Sequence, residues 1–301
     1  MQDKLLVVLG PTATGKSALA VSLALKFNGE VISADSRQVY CRMDIGTGKI
    51  THDEMRGVKH HLLDVAEPDE NFSVATYQEL ARAAITDIQS LGKLPILCGG
   101  TGLYIKAITQ NSSLPKVPPN FELREELETW DTADMVVELE KLDPNRAENI
   151  DKNNRRRLVR AIEIARAIGE VPELIESSAY DTLYIGLQVH GPILKKRIHD
   201  RLIARMDARM IEEVESLHTS GVSWKKLESF GLEYKYVSLF LQHTLNREQM
   251  IIKLESEIWQ YAKRQMTWFK KYAPDTKWFN PEDREEIEEI VSHWVSLSPN
   301  S

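Results

Sequence analysis

Cysteine is scarce in this chain of 301 residues, with only Cys41 and Cys98 present. Two cysteines so far apart give neither a disulfide framework nor a metal spacing, and each reads as a small packed or partly exposed thiol. Long apolar runs are lacking too. No stretch approaches the roughly 20 residues of a membrane span, which argues against a membrane protein. The opening MQDK leads straight into a strand-like run without the shape of a signal peptide. A reducing cytoplasm is the expected location. An overall basic excess is also missing. The net charge is −7, which argues against a protein that coats nucleic acid indiscriminately. No internal repeat is visible, and the remaining composition is that of an ordinary soluble chain. The length suits two linked units, or one domain with an insertion.

The N-terminal segment GPTATGKS, residues 10–17, follows the apolar run LLVVL and matches G-x-x-x-x-G-K-[ST] at Gly10, Gly15, Lys16 and Ser17. A buried strand, a glycine turn and the apolar helix that Ser17 opens would place backbone N–H groups around an anion. The whole loop, Gly10, Pro11, Thr12, Ala13, Thr14, Gly15, Lys16 and Ser17, is therefore the candidate cradle for a diphosphate. Lys16 would set a point charge against the outer phosphates, and the Ser17 hydroxyl would reach a bound Mg²⁺. The loop by itself leaves open whether phosphate is transferred, hydrolysed or expelled.

Strand and helix patterns alternate over the first 110 residues. Strands are expected at 5–9, 30–34 and 94–98, with helices at 17–27, 74–91 and from Leu103. This alternation predicts an α/β fold with a parallel sheet covered on both faces and ligands at the carboxyl ends of the strands. The loop at 10–17, the ADS segment at 34–36 and GGTG at 99–102 all follow strands, so all three should line one crevice. Residues 111–120, NSSLPKVPPN, form a Pro-rich joint. Only helical patterns follow to residue 170, then a loop at 172–181. A β-like run at 182–189 rejoins the sheet, and the chain is helical from Pro192 onward, with a frayed tail at 296–301. The expected organisation is a P-loop core (1–112), a helical insertion (113–181), and a returning strand with C-terminal helices (182–301).

Asp35 ends the second strand, beside the loop in a doubly wound sheet. A carboxylate there can take a proton from a nucleophile or join a metal shell, and it can equally cap a turn. No apolar strand ends in the acid that usually accompanies the loop in ATPases; the third ends in Cys98, Gly99 and Gly100. That favours a transferase in which the diphosphate is a handle. Thr101 and Tyr104 sit at a strand-to-helix turn, where Thr101 can meet a ligand, cap the helix, or both. His60 and His61, adjacent in sequence and near Asp64, point different ways and make a poor metal pair.

Basic residues are concentrated locally. Residues 152–166 carry six basic side chains against one acid, and 195–209 carry six against two. Residues 263–271, KRQMTWFKK, interleave bases with aromatics. Any one run can be a solvated helix face; three in an acidic protein point to a local polyanion surface. Lys263, Arg264, Lys270 and Lys271 are candidate contacts beside Trp259, Tyr261, Trp268 and Phe269, whose rings suit a core, a groove or unstacked bases.

GPTATGKS, ADSRQVYCRMDIGTGK (34–49), HHLLDVAEP (60–68), GGTGLY (99–104), LDPNRAENI (142–150) and YAKRQMTWFKK (261–271), in this order, resemble the bacterial tRNA dimethylallyltransferases. The likeness runs from about residue 5 to 272. It implies that the N6 of the adenine 3′ to the anticodon, position 37, attacks dimethylallyl diphosphate and expels diphosphate. Lys16, Ser17 and Mg²⁺ would stabilise the leaving group, Asp35 would take the amino proton, and Arg201, from the segment Arg197-Ile-His-Asp-Arg201, would bind diphosphate. The adenine must leave its stack to react. The resemblance assigns Asp35, Ser36, Arg37 and Gln38 to the flipped base. It places Thr101 in the channel where base would meet diphosphate. By the same resemblance Arg156, Arg157, Leu158, Val159 and Arg160 would grip the anticodon stem-loop, with Arg124 as a further tRNA contact, and Lys263, Arg264 and Gln265 would complete the RNA surface. The chain departs from the family in two places. The IGY-[KR]-E block reads ESFGLEYK at 228–235, with an acid where some relatives carry a base. Gly48 stands where many relatives have Ala, a small difference on its face. No obligate protein partner is implied, and the chain reads as a monomer.

Other readings compete. A P-loop small-molecule kinase would use Asp35 as base for a hydroxyl acceptor, with the RRR run as part of an arginine-rich lid. A non-enzymatic RNA-binding P-loop protein would not need the Lys16, Asp35 and Thr101 set. A prenyltransferase of free adenosine phosphates would not need the basic insertion. In the favoured reading, ATP is at most an impostor ligand of the loop.

Overall fold

The computed structural model describes residues 3–110, 115, 117–172 and 180–297. The chain divides into two compact units, Met1–Asn111 with Ser178–Ser301, and Ser112–Ser177. The first unit begins with β1 (Asp3–Leu9), α1 (Lys16–Lys26), β2 (Gly29–Ser33), α2 (His52–Met55), β3 (His60–His61), α3 (Val74–Ser90), β4 (Leu94–Gly99) and α4 (Gly102–Thr109). After the second unit it resumes with β5 (Tyr180–Leu187), α9 (Gly191–Asp207), α10 (Met210–Thr219), α11 (Trp224–Ser229), α12 (Leu232–Leu241), α13 (Arg247–Tyr272), β6 (Lys277–Phe279) and α14 (Arg284–Ser296). The second unit holds α5 (Phe121–Glu128), α6 (Thr132–Leu142), α7 (Pro144–Asn149) and α8 (Arg155–Ile168).

One six-stranded sheet, in the order β3-β2-β4-β1-β5-β6, is parallel throughout. The fold is α/β and P-loop NTPase-like. Strand β1 is apolar along its whole inner length because it is covered on both faces. Leu5, Val7 and Leu9 enter one core with α3, α4 and the C-terminal helices, and Leu6 and Val8 enter the other with α1 and α14. This is the period-two alternation of a strand between two layers.

Two short strands at the sheet edges lie outside the expected set. β3 has two residues and β6 three, too short for a periodic signal. β6 also corrects the reading of the C-terminal portion as purely helical. A second correction concerns neighbours: β4 lies between β2 and β1, so Asp35 is separated from the loop by the GGTG strand. The tight approach of these ends is visible in backbone bonds. Ala34 N–H donates to the Cys98 carbonyl (2.7 Å) and Thr101 N–H to the Ala34 carbonyl (3.0 Å).

The second unit has its own core of Leu123, Leu127, Met135, Leu139, Leu158 and Ile162 among others. Three of its four helices are capped by side chains: Asn120, Asp143 and Asn154 accept from Leu123, Arg146 and Arg157 N–H. Half of the joint at 111–120 and most of the loop at 172–181 and of the tail at 296–301 lie outside the described residues.

Candidate active site

The loop between β1 and α1 turns on three residues with positive φ, Gly10 (144°), Ala13 (63°) and Gly15 (90°). Gly15 is the N-cap of α1 and carries no side chain to block the helix end. Such a turn directs successive N–H groups inward and makes a cradle for anions. Lys16 folds back so that its Nζ donates to the Pro11 carbonyl at 2.6 Å, and the Thr14 hydroxyl donates to the same oxygen at 2.9 Å. Burial pushes Lys16 down to about 8; Cys98 and Asp35 oppose the shift and Arg201 adds to it. Arg201, on α9, donates through Nη2 to the Thr12 hydroxyl at 3.1 Å. It too is lowered, to about 10, first by burial and then by Arg205. Two cations thus stand at the loop without a paired carboxylate among the described residues.

The turns after β2 and β4 are joined to each other. Ser36 N–H donates to Thr101 Oγ1 at 3.0 Å, and the Thr101 hydroxyl approaches Ser36 Oγ at 3.4 Å. Thr101 is the N-cap residue of α4 but makes no side-chain cap bond, so its hydroxyl serves the junction rather than the helix. Asp35 accepts from Arg37 N–H at 2.9 Å through Oδ1. It is a turn-former, and half-buried with its other oxygen unassigned. Gln38 is held at both ends of its amide: Nε2 donates to the Gly48 carbonyl at 3.2 Å, and Oε1 accepts from Ser33 Oγ at 3.3 Å. Burial raises Cys98, beneath the site, to about 12, so it is a packed thiol. Burial likewise raises Tyr261 and Tyr104 well above the ordinary phenol range. Asp35 contributes to both shifts, which places both rings near it.

Gln265 requires a correction. It is 6% exposed, accepts from Thr12 N–H at 2.9 Å and donates to the Gly100 carbonyl at 2.9 Å. It clasps the phosphate loop to the GGTG turn and is not part of an RNA-facing surface. Sequence reasoning missed this role, since its partners lie far away in the chain. Lys263 and Arg264, its neighbours, are exposed. Lys263 lies 5.9 Å from the Trp259 ring centroid, and Lys195 of α9 lies 5.1 Å from it. Phe269 is fully buried, while Lys270 and Lys271 are exposed.

In the helical unit the predicted residues divide. Arg124 donates to Glu163 through Nε and Nη2 (3.0 and 3.1 Å). Arg160 pairs with the same carboxylate and donates to the Val117 carbonyl at 2.8 Å. Leu158 is fully buried in the unit's core, so its side chain packs and cannot meet RNA. Val159 is half-buried. Arg156 and Arg157 are exposed and make no ion pair with a described residue.

The histidine pair forms β3. His60 Nδ1 bonds the Val58 carbonyl (2.9 Å), and His61 Nε2 bonds Glu30 (2.6 Å). Asp64 pairs with Lys49. The two departures from the family pattern meet in space. Glu233 is buried and bonded to Arg205. Gly48 has φ +60°, and a Cβ on it would overlap Arg205 Nη2. Glycine there is therefore no small difference.

For Mg²⁺, the fitting donors are hard oxygens: the exposed Ser17 hydroxyl at the first turn of α1 and the Asp35 carboxylate. No group of three or more His, Cys, Asp or Glu ligands occurs among the described residues. Mg²⁺ ordinarily uses one or two protein oxygens plus substrate phosphates and water, so the donor set is compatible with it.

With this geometry in hand, relatives are informative. A family model described as IPP transferase matches residues 38–272. The chain is 46% identical over 268 residues to a tRNA dimethylallyltransferase 2 of Trichlorobacter lovleyi, covering 89% of this chain and 88% of that one. It is 39% identical to a tRNA dimethylallyltransferase of Shouchella clausii, covering 97% and 96%. Among solved structures, it is similar to the full-length tRNA isopentenylpyrophosphate transferase of Bacillus halodurans (37% identity, TM-score 0.74, 97% and 96% covered). It is also similar to a eukaryotic dimethylallyltransferase acting on tRNA (26% identity, TM-score 0.81, 97% and 80% covered). No helix among the described residues is long and apolar enough to cross a membrane.

Proposed function

We infer the reaction from one premise: the chain belongs to the IPP transferase family. It is a tRNA dimethylallyltransferase, and it moves a dimethylallyl group onto tRNA. The donor is dimethylallyl diphosphate, and the acceptor is N6 of the adenosine 3′ to the anticodon, position 37. The observation that carries this assignment is the convergence at the carboxyl edge of the sheet. The loop with Lys16 and Arg201 and the joined turns bearing Asp35 and Thr101 are tied together by Gln265 and by the Ser36–Thr101 bond.

The chemistry follows from what those groups can do. An aryl amine is a weak nucleophile, so it needs a positioned base and a good leaving group. As N6 bonds to the allylic carbon, the C–O bond breaks and its electron pair leaves with the diphosphate. Lys16, Arg201 and the loop N–H groups meet the charge that builds on those oxygens. Asp35 takes the amino proton, and its bond from Arg37 N–H holds the carboxylate for that role. Ser17 and Asp35 are the residues that would hold Mg²⁺, which would supply further neutralisation of the diphosphate. Thr101 lies between the two halves of the site, and Asp35 to Gln38 face the flipped base. Arg156, Arg157, Lys263 and Arg264 supply phosphate contacts to the anticodon stem-loop. The protein works as a cytoplasmic monomer.

The test is direct. Pure protein, labelled dimethylallyl diphosphate, Mg²⁺ and undermodified tRNA should yield labelled RNA, and nucleoside mass analysis should find N6-dimethylallyladenosine with equimolar diphosphate. Label passing instead from the γ-phosphate of ATP to a small hydroxyl acceptor would establish a kinase.

A further inference from the structure

The turn at 44–48 is held from two sides. On one side, the Glu213 carboxylate accepts N–H bonds from Asp44, Ile45 and Gly46 (2.9, 2.7 and 3.0 Å) and the Tyr234 hydroxyl (2.7 Å). On the other, Arg205 Nη1 donates to the Gly46 carbonyl at 3.1 Å and to Glu233 at 2.7 Å. Arg205 is 8% exposed, and its Nη2 is buried with no hydrogen-bond partner among the described residues. That nitrogen fills the space a side chain on Gly48 would need. The Gly48 carbonyl in turn receives the Gln38 amide. A continuous path therefore runs from Glu233 through Arg205 and the 46–48 turn to Gln38.

Stability alone does not account for this arrangement. A buried ion pair often adds no more than well-packed apolar residues would, and a buried donor left unpaired costs about 1–3 kcal/mol. The residues fit a geometric task instead. We propose that Arg205, anchored by Glu233, is a positioning residue for adenine recognition: it sets the 46–48 turn so that the Gly48 carbonyl fixes the Gln38 amide against the flipped base. The inference rests on the reading that residues 35–38 meet that base. Arg205 itself touches no substrate. Because Glu233 offsets its charge, the pair adds little net charge beside Arg201, and its effect falls on the RNA side of the reaction rather than on the donor.

A double-mutant cycle with Gln38 tests the coupling. Arg205→Met is expected to lower kcat with the RNA substrate about 10- to 100-fold, through misplacement of the base, while KM for dimethylallyl diphosphate stays within about 2-fold of wild type. Arg205→Lys, which keeps the charge but not the fork, should fall between. In a Gln38→Ala background, Arg205→Met should cost less than about 2-fold more. Gly48→Ala, which disturbs the same junction and leaves both charges in place, should give the same split and carries the test alone should Arg205→Met fail to fold. An additive cycle, or a parallel rise in donor KM, overturns this inference while wild-type transfer stands. No transfer by wild type overturns the functional reading, and this inference with it.

Discussion

The crevice at the sheet edge and the helical unit both gather cationic side chains, and they treat them in opposite ways. In the helical unit Glu163, almost fully buried, collects Arg124, Arg160 and the Asn120 N–H. Burial alone would raise its carboxyl, but the bonds from Arg124, Asn120 and Arg160 outweigh that and hold it below its ordinary value. In the crevice, the partners of Lys16 and Arg201 among the described residues are neutral oxygens, the Pro11 carbonyl and the Thr12 hydroxyl, and both are lowered by burial. A cation with a carboxylate is structure. A cation kept at a buried cradle without one fits the proposed role of meeting an anion that arrives later. Counting bases along the sequence cannot separate the two.

Five experiments bear on this contrast. The largest effect is expected at Asp35, the proposed base. Asp35→Ala should lower single-turnover transfer about 10²- to 10⁴-fold while RNA binding, measured by filter retention, stays intact; lost binding with normal chemistry would make Asp35 a recognition residue. Next, Lys16→Met should cost about 10²- to 10³-fold in kcat/KM for the donor, as for loss of one transition-state donor. The wild-type pH profile should carry the same signature. As pH rises through about 8, Lys16 loses its proton, and kcat/KM for the donor falls. kcat holds to higher pH because bound diphosphate keeps the proton on. A flat kcat/KM between pH 7 and 9 would place Lys16 outside the diphosphate site.

Glu163→Gln should then destabilise the helical unit by about 3 kcal/mol, since it leaves two arginines around an uncharged partner. The wild-type contribution is present above the ordinary carboxylate range and is lost as pH falls through the lowered value of Glu163. Denaturant midpoints at pH 7 and pH 3 should therefore converge between variant and wild type at the acid end. The smallest effect is that of Arg156→Gln with Arg157→Gln. RNA affinity should drop about 10-fold and the salt slope should flatten by up to about 2, with the melting temperature unchanged. Unchanged binding would return these two residues to a solvated helix face.

The parts of the molecule that were legible in the sequence are the ones written locally. The loop at 10–17, the strand-end Asp35 and the GGTG turn are short segments whose geometry depends on neighbours in the chain, and the sheet order then brings them together. β3 and β6 escaped because two or three residues carry no periodicity. Gln265 was assigned to the wrong surface because it lies in a basic stretch, yet its own spacing on α13 turns it inward with Ala262 and Phe269. Leu158 followed its arginine neighbours into the RNA contact in the same way, although an apolar residue amid charges on an amphipathic helix is the natural core position. The meeting of Gly48, Arg205 and Glu233 had no local trace at all. Three distant segments become neighbours only when α9 and α12 pack over the 44–48 turn.

The shortness of β3 and β6 has a consequence for how this molecule coexists with copies of itself. A sheet's outer strands offer unpaired backbone groups that can recruit another chain. Here both outer positions are taken by the two briefest strands of the six, which leaves almost no template at either side. β5, eight residues long and apolar toward its end, would be a far better one, and β6 covers its Ile185–Leu187 segment. Trp294 of α14 bonds Asp181 at the start of that same strand. The segment after residue 272 therefore covers the strand that returns the chain to its sheet, and it leaves only three paired residues of β6 at that outer edge.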